Sequence, residues 1–186
     1  NNMYTPVSTL RDIKDFLESK LKEENYTLQA APVDGTYDRR GDTRIIPSVR
    51  IAAMPHENFA FTPVSELYPS APYILVSMDK SNTMVDERSM DVLIQCCVFS
   101  TENYPAQDGS SSQIPDEQAE IDLLNLLEWI GQRLMEVHKI GGATMEYPVQ
   151  MGSYGSKAHT YPKAYGYLDF SVNLISPTIS RAWADY

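Results

Sequence analysis

Residues 115–137, PDEQAEIDLLNLLEWIGQRLMEV, carry the longest helical period in the chain. Pro115 suits a first helical position, where its missing N–H is one of the unpaired donors anyway. Asp116, Glu117 and Glu120 place negative charge on the first turns, where the helix dipole favours it. Ile121, Leu124, Leu127, Ile130, Leu134 and Val137 recur at spacings of three or four, and Leu123, Leu126 and Trp129 widen the stripe. The pattern predicts a helix that buries one broad face against a sheet or other helices. Gly131 either marks a close approach to a strand or is a local weakness of roughly 1 kcal/mol. His138 and Lys139 suit the C-terminal end, and Gly141-Gly142 is expected to stop the helix.

A second helix is expected over residues 9–24. Thr9 with Asp12 resembles a capping box, and Leu10, Ile13, Phe16, Leu17 and Leu21 form its apolar stripe. Asn25, which tolerates a left-handed conformation, ends it. Residues 26–31 are a short strand candidate. Residues 44–54, RIIPSVRIAAM, have the β-branched density of a strand, but Pro47 makes it an edge strand or an interrupted one. Residues 73–78, YILVSM, predict a strand followed by a turn at 79–81. Residues 90–100, MDVLIQCCVFS, are apolar on both alternating faces, so this strand is expected in the middle of a sheet, covered on both sides. Residues 144–149 are a further strand candidate. In residues 165–175, YGYLDFSVNLI, Leu168, Phe170, Val172 and Leu174 face the core, and Tyr167, Asp169, Ser171 and Asn173 face the other way.

Residues 33–43, 102–113 and 150–164 lack a period and read as loops; 55–72, with four prolines, reads as extended loop with a strand near 59–63. The order helix, strands, helix, strands predicts an α+β fold: a mainly antiparallel sheet with two helices packed on one face, long loops and a C-terminal arm. At 186 residues the chain is expected to be a single domain, with its core at about 5–177 and the arm at 178–186.

Chemistry finds few footholds. His56, His138 and His159 are far apart, with no metal-ligand spacing, so neither a metal nor a cofactor is expected. Cys96 and Cys97 lie in the most apolar strand, which predicts buried thiols rather than a nucleophile. As neighbours in a strand they point to opposite faces and cannot bridge, so a reducing compartment is expected. GSYGSK at 152–157 is not a phosphate loop, and DGTYDRRGD at 34–42 lacks the ligand spacing of a calcium loop. No catalytic residue is nominated, and the protein is not expected to be an enzyme. The net charge of −10 disfavours general nucleic-acid binding, while leaving room for a wall that encloses DNA without holding it. No signal peptide or membrane-spanning run is visible.

The layout resembles a known family. The residues that carry the resemblance are PYILV at 72–76, VLIQCCV at 92–98, the acidic-started helix AEIDLLNLLEWIGQRL at 119–134, and YPKAYGYLDFSVNLISP at 161–177. Their order, after an N-terminal helix, is similar to that of the tail terminator (tail completion) proteins of tailed bacteriophages and, more loosely, the adjacent head–tail joining proteins. Residues 28–69 and the C-terminal tail are longer and richer in proline than a minimal member needs. The resemblance implies a virion protein of the tail and neck, assembled in the host cytoplasm. Such a protein closes as a homo-oligomeric ring, a hexamer, on the tail tube protein and meets the head–tail connector. Further implied partners are the tail sheath protein, if the tail is contractile, and DNA passing through the lumen without specific binding.

Half of the 12 tyrosines lie at or after position 147. Aromatic rings in segments without a period invite association, because exposing them on a monomer is unfavourable. The candidate interface residues are Tyr154, Lys157, His159, Tyr161, Lys163, Tyr165, Tyr167, Asp169, Arg181, Trp183 and Tyr186; the alternative is that the loop and tail fold back over their own sheet.

Overall fold

A computed structural model describes residues 5–31, 43–54, 71–83, 88–100, 117–155 and 163–174. The first helix, α1, spans Pro6–Glu23 and starts earlier than the Thr9–Asp12 pair implies. Thr5 is the N-cap: its hydroxyl accepts from the Ser8 N–H at 3.1 Å, while Ser8 Oγ accepts from the Thr5 N–H at 2.8 Å. Pro6 at the first position makes this upstream box the better nucleus. Thr9 is buried inside the helix instead, its hydroxyl donating to the Thr5 carbonyl. Leu10, Ile13, Leu17 and Leu21 are buried as expected, and Asn25 takes a positive φ of 48° just past the end.

Strands β1 (Leu28–Gln29) and β2 (Arg44–Ile45) form a small antiparallel pair. The chain breaks at Ile46-Pro47 and resumes as β3 (Ser48–Ile51), an edge strand. Then come β4 (Tyr73–Thr83), β5 (Arg88–Phe99) and the second helix, α2 (Glu117–Met135). The remaining strands are β6 (Lys139–Ile140), β7 (Ala143–Met145), β8 (Gln150–Ser153) and β9 (Lys163–Leu174). The main sheet has seven strands, in the order β3-β4-β5-β9-β7-β6, with β8 also on β9. Among the described strands only β3 runs parallel to its neighbour.

The fold is α+β, with both helices on one face. Ile74, Val76, Val92, Ile94, Cys96, Leu168, Phe170 and Val172 form one core with Ile13 and Leu17 of α1 and Leu123, Leu127 and Ile130 of α2. The other face carries a smaller cluster of Ala71, Tyr73, Leu75, Cys97 and Phe99. β5 is central, and its adjacent cysteines are both fully buried, Cys96 under the helices and Cys97 on the opposite side. Burial raises both thiols, Cys97 to about 11.

Four further local expectations are corrected. No turn occurs at 79–81: β4 continues to Thr83 through a bulge between Met78 and Lys80, held by its long ladder with β5. α2 ends at Met135, and Gly141-Gly142 turns a hairpin between β6 and β7 rather than capping the helix. Gly141 has a φ of 58°, and a Cβ there would stand 1.9 Å from Asp12 Oδ2, so the turn suits glycine on both counts. Residues 150–153 are strand β8 and not the start of a loop. Finally, α2 is rotated away from the expected stripe. Leu123, Leu126, Leu127, Ile130 and Leu134 are fully buried, but Ile121 and Leu124 are 45% and 46% exposed. The helix is apolar on more than one side, and the sheet selects the side that fits it.

The expected loops at 55–70, 102–113 and 156–162, the strand near 59–63, most of 33–43, and the arm at 178–186 lie outside the described residues.

Candidate functional site

Of the residues nominated from sequence, Lys157, His159, Tyr161, Arg181, Trp183 and Tyr186 lie outside the described residues. Tyr154, Lys163, Tyr165, Tyr167 and Asp169 are described, and they share the sheet face opposite the helices. Strict alternation along β9 puts Lys163, Tyr165, Tyr167 and Asp169 there, because Leu168 and Phe170 point into the core, and Tyr154 joins them through its contacts with Tyr167 and Gln95.

Three of the five pack on their own sheet. Gln95 of β5 accepts from the Met54 N–H at 3.0 Å and donates to the Tyr154 hydroxyl at 2.9 Å. The Tyr154 ring lies 5.3 Å from that of Tyr167, tilted by 40°. Gly152 allows this crossing, since a Cβ there would stand 2.9 Å from the Tyr167 hydroxyl. Tyr165 packs against the cluster of Tyr73 and Cys97, and burial raises its hydroxyl well above the usual range. Lys163 is half-buried opposite Phe99, and Asp169 is exposed. At the other end of this face, Asp91 accepts from Ser171 Oγ at 2.5 Å and pairs with Lys80 at 3.2 Å. The serine bond, then the lysine, lowers its carboxyl.

The helix side has its own clamp. Glu24, just past α1, accepts from Trp129 Nε1 at 2.8 Å and from Arg133 at 3.1 Å. Arg133 Nε lies 2.6 Å from the other carboxylate oxygen, out of line for a hydrogen bond but close enough for a strong ion pair. The guanidinium also stacks 5.8 Å over the Trp129 ring. The indole bond, then the arginine, lowers the Glu24 carboxyl.

Among the described residues, large apolar side chains outside the nominated set are also exposed. Ile121, Leu124 and Met135 are exposed on α2 and fall within about 60° of one another around the helix axis. Gly131 adjoins them on the side of β8: Met151 Cε lies 3.3 Å from where a Gly131 Cβ would stand, and Leu168 follows at 3.7 Å. The close helix–strand approach is thus the role this glycine plays. Met151 itself is exposed on β8; Tyr147, which precedes that strand, is exposed too, and its hydroxyl donates to the Met135 carbonyl at 3.2 Å. Five large apolar side chains thus run along α2 and the β8 edge. The signal in the sequence was a helix with more apolar residues than one face can bury.

Among the described residues no three His, Cys, Asp or Glu side chains are grouped as a metal site would need. Among them, too, no helix is long and apolar enough to cross a membrane. No protein-family model matches the chain, and no curated protein matches it.

Proposed function

We propose that this chain is a structural protein of a tailed-phage virion. In this reading it is a non-catalytic tail terminator, which closes as a ring of identical copies on the tail tube and presents its other face to the head–tail connector. The observation that carries the assembly reading is the set of exposed apolar side chains Ile121, Leu124, Met135, Tyr147 and Met151, beside a β8 edge that no strand of the described residues covers. An apolar surface of this kind is favourable when another protein covers it. The tail assignment rests on the order of elements that resembles the terminator family. The net charge of −10 fits a lumen that lets DNA pass without binding it.

The test is assembly with polymerising tail tube protein. Added chain is expected to stop tube growth and to appear as a ring of copies at the tube end by electron microscopy. A chain that is monomeric both free and in finished particles overturns the reading. A chain found in the neck but unable to stop tube growth would be a head–tail joining protein instead.

A further inference from the structure

The outer strands β3 and β8 close the ends of the same five-strand strip, at the same height. One row of partners crosses it from edge to edge: Ile51, Val76, Ile94, Leu168, Met151. The next row is Arg50, Leu75, Gln95, Tyr167, Gly152, and the third is Val49, Ile74, Cys96, Gly166, Ser153. Both edges are four residues long. The first row begins and ends on exposed apolar side chains, Ile51 at 42% and Met151 at 40%, whereas Val76, Ile94 and Leu168 between them are fully buried.

The backbone groups match as well. Ser48 and Ala52 donate to Pro72 and Val76 on the β4 side, so by alternation Val49 and Ile51 turn their N–H and C=O outward. Tyr154 donates to Tyr165 on β9, so Met151 and Ser153 turn theirs outward from β8. Among the described residues no strand lies beyond either edge. Counting directions across the strip, β3 runs opposite to β8.

From this match we infer that β8 of one copy pairs antiparallel with β3 of a second copy, Met151 opposite Ile51 and Ser153 opposite Val49, continuing the sheet from protomer to protomer. The inference rests on the ring reading and supplies its contact. It is a head-to-tail arrangement, which closes into a ring when the rotation per copy divides a full turn.

The charges favour this partner over a two-fold contact. Arg50 is exposed at the β3 edge and would lie over Gly152, the one β8 residue without a side chain, on the face where Asp169 is exposed. Pairing β8 with β8 would instead bring together two copies of the α2 flank, with Glu120 and Glu128, and two copies of Asp169. The other free edges are guarded. The outer part of β4 carries Asp79, Lys80 and a bulge, and β6 has two residues including Lys139. β8, Gln150-Met151-Gly152-Ser153, has no charge, no proline and no bulge, so nothing on it opposes pairing.

The experiment uses the full chain in its assembled state, free or on purified tails. Ile51→Cys and Met151→Cys variants are made separately, mixed, and treated with a short thiol cross-linker; the native Cys96 and Cys97 are buried and should stay silent. The expected result is linkage only in the mixture, with the double variant giving a ladder that stops at the ring size. Self-linkage of Met151→Cys alone means a two-fold β8 contact and overturns the inference. Absence of linkage in the mixture while wild-type chain is oligomeric overturns this pairing and leaves the ring reading standing. A wild-type chain that is monomeric in solution and on tails overturns both. As a second variant, Met151→Lys should keep the thermal unfolding of the protomer and weaken association at least about tenfold, as a charge on a pairing edge does. Unchanged association in Met151→Lys counts against the inference.

Discussion

β5 and β8 belong to one sheet, separated only by β9, and they are completed in different ways. β5 is paired along its length by β4 on one side and β9 on the other. Its Val92, Ile94, Cys96 and Val98 lie under the helices, and Cys97 and Phe99 are buried on the far face. Among the described residues β8 has one neighbour, and it is four residues long; its largest apolar side chain, Met151, is left exposed. The chain satisfies β5 entirely by itself. At β8 it stops short, and the same is true of the α2 flank above it. Apolar residues buried by the chain's own fold support stability, while those left at an open edge are available for association.

The largest effect should come from the closed region. Ile94→Ala removes a fully buried side chain from the middle row and should cost about 2–5 kcal/mol in denaturant unfolding. Association of the fraction that remains folded should be normal. A loss of association at unchanged stability would break the distinction between the two strands.

Gly166→Ala probes the junction between the two regions. Its Cβ would stand 2.8 Å from Leu127 Cδ1 and 2.9 Å from the Gly152 carbonyl oxygen, a backbone atom of β8. Overpacking of this kind should cost about 1–3 kcal/mol. Hydrogen exchange should increase first at β8, because the Gly152 carbonyl that the new Cβ would meet belongs to that strand. A neutral substitution would mean that β8 shifts freely.

Acid should loosen the closed region. The carboxyls of Glu24 and Asp91 are held below their ordinary values, so each contributes stability that is fully present above the unfolded value. That contribution falls as pH drops through the lowered folded value. Urea midpoints should therefore decline as pH falls from about 4.5 toward 3. Glu24→Gln should flatten part of that decline, because it removes the group that ties α1 to Trp129 and Arg133. An acid limb unchanged in Glu24→Gln would show that the clamp is silent.

The smallest effect on stability should come from the open flank. Replacing Ile121 and Leu124 by Ser should change protomer stability by about 1 kcal/mol at most, roughly 0.5 kcal/mol for each side chain already half in water. The same double variant should weaken self-association, measured by sedimentation. A large drop in unfolding midpoint would mean that these residues belong to the protomer's own core.

Much of the fold follows from local patterns. The two helices, Asn25 past the end of α1, the interruption at Pro47, the centrality of β5 and the in–out alternation of β9 are all legible in the sequence, because period, chain geometry and burial demand act over a few residues. The candidate site was less legible. Aromatic content pointed to Tyr154, Tyr165 and Tyr167, which pack on their own sheet, and passed over Ile121, Leu124, Met135 and Met151. The side of α2 that is buried was decided by where β5 and β9 offer a matching surface. β8 became a strand because the backbone of β9 lies alongside it, and the residues Gln150, Met151, Gly152 and Ser153 have little strand preference of their own. Only the tertiary structure places Ile51 and Met151 at the two ends of one row, since they are a hundred residues apart in the chain and the ladder that relates them runs through three other strands.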